Sequence, residues 1–139
     1  MNSNENEERK IKVAWYENNM PFVEPILYYL DKEKVFDVKV FGDPGCAKEE
    51  IKKYQPDLII FDYRMPNING LQMYKQLKDE LDEFDFVPVF LSIWARDEST
   101  RSEIIDAGIE SEAIFDKNIE PDSFSKALKE YYIHKKGTK

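Results

Sequence analysis

The 139-residue chain contains one cysteine, one histidine and five glycines. The single thiol, Cys46, excludes an intrachain disulfide framework and a thiolate-rich metal site, and suits a reducing compartment. The lone histidine, His134, sits in a basic C-terminal stretch, where a solvated role outweighs phosphotransfer. No Gly/Ser linker interrupts the chain, so one folded unit is expected, and the low glycine content fits neither a collagen-like nor a disordered composition. Long apolar runs are also missing: none approaches the roughly 20 residues of a spanning helix. The opening MNSNENEERK is polar and is not a signal peptide, so the expected location is cytoplasmic, with no membrane contact. Basic excess is absent too. Twenty Lys and Arg face 28 Asp and Glu, giving a net charge of −8, which argues against direct nucleic-acid binding. What is present is 42% apolar and 14% aromatic residues, enough for a single core.

Residues 1–9 lack apolar periodicity and read as a disordered tail; 10–134 form the folded domain, and 135–139 a basic tail. Within the domain, short β-rich runs alternate with helical spacing. The strands are IKVAWY (11–16), FDVKVF (36–41), PDLIIFD (56–62), FVPVFLS (86–92) and AIFD (113–116). Phe22, Ile26 and Leu30 recur at helical spacing after the first, with Pro25 expected in or near the first turn. Asp43-Pro44 starts a helix bearing Ala47, Ile51 and Tyr54. Asn69-Gly70 opens another, bearing Met73, Tyr74, Leu77 and Leu81. Residues 97–107 form a weakly anchored helix on Ile104, Ile105 and Ala107, and 121–133 form the last. The acidic run 79–85 reads as a solvated loop. Five strands alternating with five helices predict an α/β fold, a doubly wound parallel sheet with right-handed crossovers.

Ligands of such folds gather beyond the carboxyl ends of the strands. Glu17 and Asn18 follow the first strand, Asp62 ends the third, Ser92 ends the fourth and Lys117 follows the fifth. Two carboxylates and an amide oxygen suit a hard cation such as Mg²⁺. The lysine and the hydroxyl can hold phosphoryl oxygens, and Asp62 can act as a nucleophile.

The segment PDLIIFDYRMPNINGLQM resembles the receiver domain of two-component response regulators (CheY-like). Asp62 stands at the phospho-accepting position, Met65-Pro66 follows it, and Gly70 precedes the next helix at the family's spacing. Ser92 stands at the hydroxyl position and Lys117 at the lysine position, and the likeness runs from about Ile11 to Tyr132. The resemblance implies a flavodoxin-like fold of strand order 2-1-3-4-5 and a stand-alone phosphorelay domain rather than an enzyme. A sensor histidine kinase or phosphotransfer protein would donate the phosphoryl group to Asp62. Mg²⁺ would be held by Glu17, Asn18, Asp62 and the backbone carbonyl of Arg64. Output would pass to a downstream protein, or a second copy of the chain, over the 97–133 face, with Arg101 and Lys126 as test positions.

Three departures accompany the likeness. The acidic pair after the first strand falls on Glu17-Asn18, so one carboxylate is an amide and Mg²⁺ binding is expected to weaken. A register shifted by one would place the pair on Tyr16-Glu17, but the gapless register keeps Phe22, Ile26 and Leu30 on one face. Asn118, not proline, follows Lys117. The switch position that usually carries Tyr or Phe holds Ile114, with Phe115 facing the other way. These departures support an alternative, a pseudo-receiver that binds partners without turning over phosphate. Haloacid-dehalogenase-like chemistry is disfavoured by Arg64, which stands where a second carboxylate would be needed, and a flavin carrier by the absence of a phosphate loop in ENNMPF.

Overall fold

Five strands, β1 (Ile11–Tyr16), β2 (Phe36–Phe41), β3 (Leu58–Asp62), β4 (Val87–Ser92) and β5 (Ile114–Asp116), pair in parallel in the order β2-β1-β3-β4-β5. The computed structural model describes residues 9–65, 67–82 and 84–137. The expected N-terminal tail thus lies outside the described residues except for Arg9, which pairs with Asp57 at 3.6 Å. Pro66 of the Met65-Pro66 pair, Glu83 of the acidic run and the end of the basic tail also lie outside them. The helices are α1 (Met20–Lys32), α2 (Ala47–Tyr54), α3 (Gly70–Glu80), α4 (Glu98–Asp106) and α5 (Pro121–Lys136), with short 3₁₀ turns at Pro44–Cys46 and Ser111–Ala113. No helix among the described residues is long and apolar enough to cross a membrane.

Strand alternation sorts the core into two layers. Trp15 meets Phe22 of α1 edge-on at 6.3 Å, whereas the next residue, Tyr16, donates its hydroxyl to Glu50 of α2 at 2.7 Å. α1 packs against α5, and α2 against α3. β3 lies at the centre of the order and is buried along its whole length, as expected of a strand covered on both faces. Phe61 stacks on Phe90 of β4 at 5.2 Å and meets Tyr74 of α3 edge-on.

Three local expectations are corrected. α1 begins at Met20, because Asn19 caps it by accepting the Phe22 N–H and Pro21 occupies the first turn. Pro25 therefore sits inside the helix, where its missing N–H forgoes one internal bond. The last helix continues through Lys136, so the basic segment expected from residue 135 starts as helix. There Lys135 and Lys136 pair with Glu110 and Asp85. In α4 only Ile104 is buried; Ile105 is 41% exposed and Ala107 half-buried. A helix so thinly anchored in the core is held mainly by polar contacts.

Gly70 is required by close approach. A Cβ there would lie 2.4 Å from the carbonyl oxygen of Asp62, while the Gly70 N–H donates to the Tyr63 carbonyl at 2.8 Å. The capping box of Asn69 and Gln72 fixes the same helix start. Gly70→Ala is accordingly expected to cost about 1–3 kcal/mol in urea unfolding. Gly42→Ala, whose Cβ would meet only Asn18 at 3.8 Å, should stay within about 0.5 kcal/mol. Equal effects would contradict the close approach.

Candidate functional site

The sheet register brings the strand-end residues together. Tyr16 is level with Phe61, so Glu17 emerges beside Asp62. Ser92 is level with Asp116, and the Lys117 N–H donates to the Ser92 carbonyl at 3.0 Å. The Lys117 ammonium thereby reaches both acids, 2.9 Å from Glu17 Oε1 and 3.2 Å from Asp62 Oδ1. All three side chains are shielded, their residual exposures being 14% for Lys117, 2% for Glu17 and 8% for Asp62. The Phe22 ring lies 4.8 Å from the ammonium and covers it. Sequence spacing marked Phe22 only as a core position; its second role depends on the tertiary path of α1.

The remaining expected residues occupy different places. Ser92 is buried and its Oγ accepts the Trp94 N–H at 2.8 Å. Ile114 of β5 is buried, while Phe115 meets Phe124 of α5 edge-on, the opposite orientation expected of it. Asn18 is exposed. The Arg64 N–H donates to Asp62 Oδ1 at 3.4 Å, and its exposed guanidinium lies 5.2 Å from the Trp94 ring. Asn118 follows Lys117 through a trans bond, and its N–H is taken up by Asp116 Oδ1 at 2.9 Å. Arg101 donates to the Ala95 carbonyl and to Ser111, so it is an internal brace of the fold as well as a surface residue. The Arg64–Trp94 and Arg96–Asp116 contacts carried no sequence signal, since neither pair has a periodic spacing.

The electrostatics are uneven. Two buried carboxylates share one ammonium, leaving about one negative charge uncompensated. Oε1 of Glu17 has no hydrogen-bond partner despite its ion pair, and it is one of two such buried side-chain atoms among the described residues; Nε1 of Trp15 is the other. A buried pocket that sets two carboxylates against one ammonium fits a hard divalent cation. Glu17 and Asp62 are the buried carboxylates that would hold it. Among the described residues no cluster of three acidic, histidine or cysteine side chains that could hold a metal is found.

Burial, reinforced by the Glu17 carboxylate, pushes the Asp62 pKa up from 3.8 to about 6, against the pull of the Lys117 ammonium and the Arg64 N–H. The native state thus binds this proton more tightly than the unfolded chain does. The stability that protonated Asp62 provides is complete below about pH 4 and is lost as pH rises through 6. Without metal, Asp62→Asn should melt higher than wild type above pH 7, and the difference should shrink steadily toward pH 4. A pH-independent difference in thermal scans with chelator would contradict this.

Comparison with known proteins bears on the family and the fold. Over 137 residues the chain is 29% identical to the transcriptional regulatory protein DegU of Brevibacillus brevis, covering 94% of this chain and 56% of that protein. Over 76 residues it is 34% identical to the cyclic di-GMP phosphodiesterase response regulator RpfG of Xanthomonas campestris pv. campestris, covering 55% of this chain and 19% of that protein. The chain therefore spans about half the length of the first relative and less of the second. Among solved structures it superposes on the receiver domain of Francisella response regulator 1452 with a TM-score of 0.75 at 20% identity, covering 91% of this chain and all of that one. A CheY-like receiver domain protein from Methanospirillum hungatei JF-1 gives a TM-score of 0.75 at 16% identity, covering 94% and 100%. Residues 15–129 match the family described as response regulator receiver domain, and the chain belongs to that family.

Proposed function

We propose that the chain accepts a phosphoryl group on Asp62 from the phosphohistidine of a sensor kinase or phosphotransfer protein, and signals through protein contacts. The observation that carries this reading is the Lys117 ammonium, buried and shared between Glu17 and Asp62. It stands where a cation can meet the incoming phosphoryl oxygens while the carboxylate attacks. An Asp62 carboxylate oxygen would form the new P–O bond as the P–N bond of phosphohistidine breaks, and the departing imidazole nitrogen would keep the electron pair. The ammonium would follow the negative charge as it spreads over the phosphoryl oxygens. When bound, Mg²⁺ would supply further charge neutralisation at the same oxygens, held by Glu17, Asp62, Asn18 and the Arg64 carbonyl. The Ser92 hydroxyl, now an acceptor for the Trp94 N–H, would turn to donate to the phosphoryl group. The only covalent turnover expected is addition and loss of this group on the chain itself.

A second reading, a pseudo-receiver that binds partners without turning over phosphate, is favoured by one observation. Asn18, where a third anion would stand, is an exposed amide. The chemistry separates the two readings.

Incubation with acetyl phosphate and Mg²⁺ should add a single phosphoryl mass to the intact chain, and Asp62→Asn should abolish the addition. Lys117→Met should slow it by about 10²-fold or more, in the range for loss of one charge-stabilising donor. Unmodified wild type under saturating donor would support the pseudo-receiver. Labelling that survives Asp62→Asn would remove Asp62 from the role of acceptor.

A further inference from the structure

Phosphorylation at a strand end acts at a distance only if something ties that strand end to a movable element. Here Ile114 has no aromatic ring, and Phe115 is turned toward Phe124. An aromatic side chain swinging over Ser92 is thus unavailable to either residue. A different connection leads from the acceptor to α4. Tyr63, the residue after Asp62, donates its hydroxyl to Glu103 Oε1 on α4 at 2.9 Å. The Tyr63 carbonyl is itself fixed by the Gly70 N–H at 2.8 Å, so the ring is mounted on the segment that Gly70 pins beneath Asp62.

At its far end the contact meets the least buried helix of the sheet's surround. Of the nine residues of α4, only Ile104 is buried, and Ile105 is 41% exposed. The other ties of α4 are polar. Asp97 caps it through the Thr100 N–H and hydroxyl, and Arg101 reaches the Ala95 carbonyl and Ser111. Those contacts join α4 to the loops around it. Tyr63–Glu103 joins it to the residue beside the nucleophile.

We infer that the Tyr63–Glu103 hydrogen bond is the tether that sets α4 in place and reports the charge state of Asp62 to it. This inference rests on phosphorylation at Asp62. A doubly charged phosphoryl group drawing Ser92 and the Trp94 loop inward would displace the 62–64 backbone, and the tether converts that displacement into release or reseating of α4. Tyr63 is a positioning residue in this scheme, because it touches neither the phosphoryl group nor the metal.

The test is amide hydrogen exchange over 98–106 in the full-length chain, with and without acetyl phosphate and Mg²⁺, beside intact mass as the readout of Asp62. Without donor, Tyr63→Phe and Glu103→Ala should each speed exchange in α4 by about five-fold, the loss of one hydrogen bond. Glu103→Gln, which keeps an acceptor oxygen, should restore near-wild-type exchange. With donor, both broken-tether variants should take up the phosphoryl mass as wild type does, while the donor-dependent change in α4 exchange disappears. Variants that exchange like wild type without donor, or retain the full donor-dependent change, overturn the inference. Failure of phosphorylation is distinguishable, because wild type would then gain no mass while the donor-free comparison still judges the tether.

Discussion

One ammonium shared between two buried carboxylates organises this molecule. Lys117 reaches Glu17 at 2.9 Å and Asp62 at 3.2 Å, and each partner is delivered by a different strand. β1, β3 and β5 must therefore be in register for the contact to form. Charges removed from water are tolerated only when paired, so a one-residue slip in any of these strands would leave a charge stranded as well as invert a face of the core. The same arrangement is short of one positive charge. Burial, with the Glu17 carboxylate adding to it, raises the pKa of Asp62 to about 6.

One departure from the usual family pattern bears on this balance and others surround it. Asn18 lowers the negative charge that a divalent ion would meet, while the lysine and both remaining acids stay in place. Asn118 replaces the residue that commonly shapes the loop after the lysine. In this chain the loop is instead closed by Asp116, which takes the Asn118 N–H on one oxygen and the Arg96 guanidinium on the other. Around the site, the Tyr63 hydroxyl donates to Glu103 of α4 and the Arg64 guanidinium lies over Trp94. The chain keeps the polar residues at the strand ends and differs in the residues around them.

Much of this was legible in the sequence because the signals were periodic or closely spaced. The strands, their alternation with helices, and the polar residues at their ends follow from runs such as LIIFD and from the intervals between Asp62, Gly70, Ser92 and Lys117. Helix boundaries were less legible. Pro25 suggested a late start for α1, whereas Asn19 and Pro21 set an earlier one because a side-chain cap outweighs one forgone hydrogen bond. Ile105 suggested an anchor that the weak amphipathicity of α4 does not provide. The Phe22 cover on Lys117, the Tyr63–Glu103 bond and the Arg101 brace join residues with no sequence relation, so only the tertiary structure brings them out.

We propose that the buried acid pair leaves a charge deficit which a divalent cation fills. It is tested most directly by the rise in melting temperature that Mg²⁺ produces in the unphosphorylated chain, compared with Glu17→Gln at neutral pH. The account predicts a saturable rise in wild type, as for any ligand that binds only the native state, and its loss in Glu17→Gln. No rise in wild type, or an equal rise in both proteins, would contradict it.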